Sequence, residues 1–373
     1  MNFNKDIKKE NIINIFRKAV LYGNLDIMKW FYKEIDNVCL MVFSEAIENG
    51  NIENLNWMKD QEYIRYIHSD FGTAIKFGNL DIIKWVHSNF HNNYKALSQA
   101  ADNGNLTNMK WLYENGYKYD TSVFNVAARH GNLENMEWLL EIGCPFGENT
   151  FYNAAKYGNL DNMKWLLENG CQLDINTLVS AIEFGEYDNI KWLLDNKCPI
   201  NTTTFSTATR MGNLTVIKML KNIDIGCPWD KTAFSSAALN GNIENMKWLF
   251  EHKCPRDYNT FIEACRKGNL ENMQWLLEKQ KFSMHAEAFE AAARHGNLNN
   301  MKWLKENGCP WNEDTFEAAA ETHNLENIKW LRDNDCPWDY NTIEILENYR
   351  SEKITKWLRK QRLPENKNAL LLL

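Results

Sequence analysis

The chain has 373 residues, 44% hydrophobic and 24% charged, with a formal net charge of −7. That balance supports a buried core and argues against a general nucleic-acid binder, which carries a basic surplus. The opening MNFNKDIKKENIIN has no apolar run of signal-peptide length, and no stretch approaches the roughly 20 apolar residues that cross a membrane. The expected compartment is intracellular, namely the cytoplasm, where nine cysteines stay reduced.

In chain order, the first predicted element is a helix carrying Lys5, Lys8, Lys9 and Glu10. From there one unit recurs. Tryptophans stand at positions 30, 57, 85, 111, 138, 165, 192, 248, 275, 303, 330 and 357, with Met219 filling the one gap, and most steps are 27 residues. A glycine sits seven residues before that position in eleven units, from Gly23 to Gly296, and an asparagine usually follows it. His323 and Arg350 replace the glycine in the last two units.

The sixth unit shows the physical logic. Asn149 is expected to cap a short first helix by accepting a free backbone N–H. Phe151, Ala154 and Ala155 share one face of it at helical spacing. Gly158 ends it by adopting positive φ. Leu160, Met163, Trp165, Leu166 and Leu167 give the second helix an apolar side, Asp161 suits its first turn, and Lys164 lies three residues on. A first helix of about nine residues is too short to persist alone in water. Each unit therefore buries its apolar face only by stacking on its neighbours, in one elongated array.

The predicted fold is an all-α solenoid of thirteen helix-loop-helix repeats. Its expected parts are an N-terminal capping repeat at 1–35, an eleven-repeat array at 36–334, a C-terminal capping repeat at 335–362 and a tail at 363–373. The last repeat reads Arg350-Ser351 at the turn and ends in Lys356, Arg359 and Lys360, which suits a solvent-facing cap, as do the N-terminal charges.

The segment from Asn153 to Gly170, reading NAAKYGNLDNMKWLLENG, resembles the helical part of an ankyrin repeat. The family repeat is ~33 residues long. The shortfall here lies between Gly143 and Ala154, where ankyrin repeats carry a projecting β-hairpin finger. The resemblance implies that this finger is reduced or absent, replaced by a tight loop such as Cys144-Pro145-Phe146-Gly147. The short, Cys-Pro-bearing, tryptophan-rich form is similar to arrays encoded by giant DNA viruses of amoebae and some protists.

Seven cysteines, at 144, 171, 198, 227, 254, 309 and 336, form one column. Members about one repeat apart, ~10 Å, are too distant for a disulfide or a shared metal, so the column reads as small buried hydrophobes. The prolines that follow six of them stiffen the loop. Phe146, Trp229, Trp311 and Trp338 follow prolines and are expected to pack over the loops. A lysine precedes the tryptophan position in ten repeats. An acidic residue three positions earlier makes that column a self-neutralised surface rather than a nucleic-acid stripe. The histidines form no zinc-protease or nucleophile signature, and the glycines are helix ends rather than a phosphate loop. No enzyme activity, metal or cofactor is expected.

Two columns carry specific expectations. Four residues after the glycine stand Asn54, Asn108, Asn135, Asn162, Asn189, Asn245, Asn272, Asn300 and Asn327, alternating with Ile27, Ile82, Val216 and Ile354. They are expected to be buried and hydrogen-bonded to backbone or to a neighbouring repeat. The two residues before the glycine are expected to face a partner. In an ankyrin array the first helices line the concave face, and Arg129, His130, Lys156, Tyr157, Phe184, Arg210, Met211, Arg266, Lys267, Arg294 and His295 mix basic and apolar groups there. The reading is a non-enzymatic scaffold that binds another protein, a host or virion protein if the viral likeness holds, with no small-molecule substrate. The alternatives are a ubiquitin-ligase adaptor, because Leu363-Pro364 and the leucines after it resemble the start of an F-box, and a nucleic-acid-binding repeat protein.

Overall fold

A computed structural model of the chain describes residues 9–34, 43–60, 70–89, 95–157, 160–184, 186–223, 226–280, 284–339 and 352–360. These residues contain 25 helices and no strand. They fall into two compact units, Met1–Asn189 and Ile190–Leu373.

In the first unit the helices pair as α1 (Lys9–Leu21) with α2 (Leu25–Glu34), α3 (Phe43–Asn49) with α4 (Ile52–Asp60), and α5 (Asp70–Phe77) with α6 (Leu80–Asn89). The pairs continue as α7 (Ala96–Asp102) with α8 (Leu106–Glu114), α9 (Thr121–His130) with α10 (Leu133–Glu141), and α11 (Thr150–Lys156) with α12 (Leu160–Glu168), before α13 (Ile175–Phe184). The unit boundary falls inside α14 (Tyr187–Asp195). The second unit holds α15 (Thr202–Met211) with α16 (Leu214–Asn222), α17 (Lys231–Asn240) with α18 (Ile243–Glu251), and α19 (Asn259–Lys267) with α20 (Leu270–Gln280). It ends with α21 (Ala286–His295) and α22 (Leu298–Glu306), α23 (Glu313–Ala320) and α24 (Leu325–Asp333), and α25 (Glu352–Leu358). The fold is the expected helical solenoid. Lys5, Lys8, the side chains of Lys9 and Glu10, Gly158-Asn159, Arg350-Ser351 and the tail 363–373 lie outside the described residues.

Within each unit the strongest packing runs from first helix to first helix, α7 through α13 and α15 through α23. Alanine makes this approach close. Ala46, Ala74, Ala100, Ala127, Ala154 and their successors to Ala319 are fully buried, beside an aromatic column that includes Phe16, Phe124, Phe205 and Phe316. From the second helices Met136, Met163 and Met246 enter the core with Leu139, Leu166 and Leu249. Most of the column tryptophans, Trp165 among them, are only half-buried, so they flank the core rather than fill it.

The second helices end in a recurring turn. Gly143 N–H donates to the Leu140 carbonyl at 3.0 Å and Cys144 N–H to the Leu139 carbonyl at 2.9 Å, with Gly143 at φ 78°. This is a Schellman closure, and it places the cysteine where a small apolar side chain meets the helix it has just left. The cysteine column is accordingly buried, and Cys227 and Cys309 direct their thiols to the Asn201 and His285 carbonyls at 3.5 Å. Burial pushes these thiols up, to about 12 for Cys144, Cys227, Cys254, Cys309 and Cys336 and about 11 for Cys171. The loop aromatics pack as expected. Phe146 meets Phe124 edge-on at 4.7 Å, Trp229 meets Phe205 at 5.1 Å, and Trp311 lies between Phe289 and Trp330.

Four details differ from expectation. Asn149 makes no side-chain cap; Thr150 instead accepts from Gly147 N–H at 2.8 Å and donates to Asn125. Side-chain capping does occur two positions earlier in the repeat, at Asp120, Asn201, Asp230 and Asn312, where this unit has Gly147. The asparagine ladder is fully buried, but its bonding is uneven. Asn108, Asn272, Asn300 and Asn327 donate to the glycine carbonyl of the preceding repeat at 3.1, 2.8, 2.7 and 2.7 Å. At Asn54, Asn135 and Asn245 neither side-chain polar atom has such a partner. The asparagines after the glycines have a role that repetition alone did not reveal: Asn105, Asn132, Asn213, Asn242, Asn297 and Asn324 cap the second helices. Finally, the N-terminal repeat is not the wholly polar cap that its charges led us to expect, because Ile15, Ile27 and Trp30 are exposed.

Candidate interaction surface

The last turns of the first helices hold every residue singled out as a partner contact. Two features of the repeat put them there. The alanine face and the aromatic column point inward, so the residues five and six positions after the aromatic emerge on the open edge. The glycine then stops the helix, as at Gly131 (φ 77°), Gly212 (78°) and Gly296 (83°). All eleven residues are exposed or half-exposed.

The six-position residue has a second duty. A β-carbon on Gly268 would lie 2.3 Å from the His295 ring, and one on Gly241 would lie 3.0 Å from the Lys267 chain. At these two glycines, and at Gly23, Gly78 and Gly212, the residue before the next repeat's glycine thus lies across the glycine of the preceding repeat. Asn240 also donates to the Arg210 carbonyl at 2.9 Å, and Asn49 and Asn103 do the same to Leu21 and Ile75. Lys267 and His295 are therefore partly committed to stacking, and only their outer faces remain for a partner.

In the first unit the five-position residues tie the edge together. Arg129 forms an ion pair with Asp102 on α7, and His130 Nε2 reaches the same carboxylate at 3.1 Å. Burial, then the adjacent Arg129 charge, lowers the His130 pKa. The Arg129 guanidinium also lies 5.8 Å from the Tyr157 ring centre. The Lys156 ammonium lies 4.7 Å from the Phe184 ring centre, 5.6 Å from Tyr157 and 6.0 Å from Tyr152. Tyr157 and Phe184 are 52% and 57% exposed. Arg129, His130, Lys156, Tyr157 and Phe184 are thus brought into one strip across three repeats.

The second unit is less continuous. Arg210 and Met211 are exposed on α15, Arg266 pairs with Glu263 of its own helix at 2.7 Å, and Arg294 pairs with Glu321 of α23 at 2.9 Å. The Arg294 hydrogen bond lowers the Glu321 pKa. Carboxylates crowd the same end. Burial and then neighbouring acids raise Glu317, and burial raises Glu290.

Sequence reasoning missed the counter-charges Asp102 and Glu321, which stand in the same column as the arginines. It also missed a 580 Å³ groove along α5, α7 and α9, lined by Gly72, Thr73, Lys76, Gln99, Asp102, Asn103 and His130. The signal for it was Gly72, a glycine inside a helix, where a side chain would collide with Gln99. The lysine column on the second helices behaves as read, with Lys164 paired to Asp161 at 3.4 Å and Lys247 to Glu244 at 3.2 Å. Among the described residues no helix is long and apolar enough to cross a membrane, and no group of three or more His, Cys, Asp or Glu is placed to hold a metal.

Two stretches, residues 124–204 and 205–288, match the family model described as ankyrin repeats (3 copies). No curated protein matches the chain. Among solved structures, the pentatricopeptide repeat protein PPR10 from maize aligns over 94% of this chain at 10% identity and a TM-score of 0.39; the chain spans 63% of that protein's length. The same protein in complex with an 18-nucleotide psaJ RNA element aligns over 95% of this chain and 70% of its own at 12% identity and a TM-score of 0.32. Scores this low bear on neither function nor detailed fold. The two family matches run end to end from the fifth repeat into the eleventh, and over that span the chain is similar to ankyrin repeats.

Proposed function

We propose that the chain is a non-enzymatic scaffold that recognises a partner protein through the first-helix edge, the concave side in ankyrin arrays. The observation that carries this reading is the strip formed by Arg129, Lys156, Tyr157 and Phe184. Exposed aromatic rings are the commonest anchors of protein interfaces, and cations held over them fix their rotamers before a partner arrives. The partner is taken to present acidic and apolar groups. A host or virion protein is the finer form of the proposal, taken from the likeness to viral arrays.

The test is affinity capture from producing cells with the intact chain and with Tyr157→Ala/Phe184→Ala. Both rings are largely exposed, so the fold is expected to survive their loss. Binding of the recovered protein is expected to weaken about thirtyfold or more. Equal capture by both forms would move the interface elsewhere. Recovery of ubiquitin-ligase subunits would favour the adaptor alternative. Recovery of nucleic acid, released steeply by salt, would favour nucleic-acid binding.

A further inference from the structure

Gly72 is a glycine that neither the backbone nor the packing calls for. It stands within α5, where glycine weakens a helix, and its φ is not positive. A β-carbon there would lie 2.8 Å from the Gln99 side-chain nitrogen, the end of a flexible chain that can yield. Other repeats place Ser44, Ser98, Asn125 and Tyr152 at this position. What the glycine supplies is room, because it lines the 580 Å³ groove along α5, α7 and α9.

The groove carries one cation with no counter-charge. Asp102 on its wall is engaged by Arg129 and, at 3.1 Å, by His130. Lys76 is exposed and makes no ion pair among the described residues; the Phe77 ring lies 5.9 Å from its ammonium. Thr73 lines the same groove one turn earlier on α5, half-buried, and its hydroxyl has no hydrogen-bond partner among the described residues. An ammonium and a hydroxyl three residues apart on one helix face form a donor pair suited to a carboxylate. The opposite wall is held in place, because Asn103 of α7 donates to the Ile75 carbonyl of α5 at 3.2 Å.

We propose that this groove receives an acidic side chain on an extended segment of the partner protein, its carboxylate held by Lys76 and Thr73. The inference rests on the scaffold reading above and names the segment that the scaffold takes. Three observations select this occupant. The uncompensated charge in the groove is positive, so the complementary group is an acid. The groove is open and lined by polar side chains, so a free small molecule would stay largely hydrated there. The groove also runs into the aromatic strip: Asp102 on its wall pairs with Arg129, whose guanidinium lies 5.8 Å from the Tyr157 ring centre. From α5 to α11 is three repeats, roughly 30 Å at ~10 Å each, which about nine extended residues span.

The experiment selects random displayed peptides of about twelve residues on the full chain and titrates the strongest, as a synthetic peptide, by fluorescence anisotropy. Selected peptides are expected to share an acidic residue. Lys76→Glu and Gly72→Leu are each expected to weaken binding at least about tenfold, and Lys164→Glu, on a second helix, by less than about threefold. Replacing the peptide's acid with lysine is expected to restore binding to Lys76→Glu. Circular dichroism of both α5 variants is expected to match the parent, because leucine favours a helix and Lys76 is exposed. Failure to select any peptide, selected peptides with no shared acid, or a titration that Lys76→Glu leaves unchanged would each overturn the proposal. Binding lost with Tyr157→Ala/Phe184→Ala but kept with both α5 variants would overturn the groove and leave the scaffold reading standing. The reverse pattern would support the groove and remove the strip.

Discussion

The asparagine ladder offers a measurement in which two chemically similar changes have opposite signs. Asn300 is 1% exposed and donates to the Gly268 carbonyl at 2.7 Å. That carbonyl follows the last turn of α19. Asn300→Ala removes its donor from a part-buried site, and stranding an acceptor there costs about 1–3 kcal/mol. Asn245 occupies the same column at 0% exposure, but neither of its side-chain polar atoms has a hydrogen-bond partner. Its amide is desolvated without return, and the column already accepts Val216 at 2% exposure. Asn245→Val is therefore expected to be neutral or to stabilise by about 1 kcal/mol. Urea unfolding of the full chain gives the sign. Amide exchange in α18 and α22 gives the locality, because a solenoid need not unfold in one step. If Asn245→Val destabilised as much as Asn300→Ala, the amide at 245 would have a solution partner, and the division of the ladder into bonded and unbonded rungs would be wrong.

Other outcomes follow from the same geometry. Lys253 holds the left-handed turn at φ 59° where other repeats have glycine; Lys253→Gly is expected to stabilise by about 0.5–1 kcal/mol in urea melts, the relief of backbone strain exceeding the added unfolded-state entropy. The native thiols of Cys144, Cys227, Cys254, Cys309 and Cys336, raised to about 12 by burial, are expected to resist alkylation at pH 8 and to react once the chain is unfolded. Because those folded pKa values lie above the ordinary thiol value, the stability they represent is complete below about pH 8.5 and is lost as pH climbs from there toward 12, which alkaline thermal melts would reveal. Arg294→Gln is expected to raise the Glu321 pKa, read by carboxyl NMR titration, with a stability change under about 1 kcal/mol because the pair is exposed.

The repeat was legible in the sequence because its strongest signals are one-dimensional. The tryptophan step, the glycine seven residues earlier and the cysteine after the closing turn each depend on one residue's local chemistry. Positive φ calls for glycine, and the end of a Schellman turn calls for something small and apolar. Most of what sequence reading missed depends on neighbours about 27 residues away. Asp102 and Glu321 look like surface acids until the stacking sets them against Arg129 and Arg294. His295 looks like a free surface histidine until its ring lies over Gly268. The asparagine after each glycine was visible as a repeat but silent as a cap, because its carbonyl oxygen serves backbone N–H groups two and three residues on, as Asn297 does for Asn299 and Asn300.

That division narrows where recognition can reside. A first helix of about ten residues commits its aromatic, its two small residues and the residue before the aromatic to the core, and at Lys267 and His295 its last residue to the preceding glycine. The five-position residue, the two that follow the aromatic and, at Tyr157 and Phe184, the exposed last residue are left. In the second unit acids have entered those places, and Glu263 and Glu321 pair with the adjacent arginines. On α9 and α11 the same places carry Asn125, Tyr152, Arg129 and Lys156, and the two cations meet rings rather than only carboxylates. A partner displacing an ion pair must replace its charge, whereas a partner covering Tyr157 and Phe184 gains apolar contact while the cations stay where they are. The strip in the first unit is thus the part of the edge where binding carries the smallest desolvation cost.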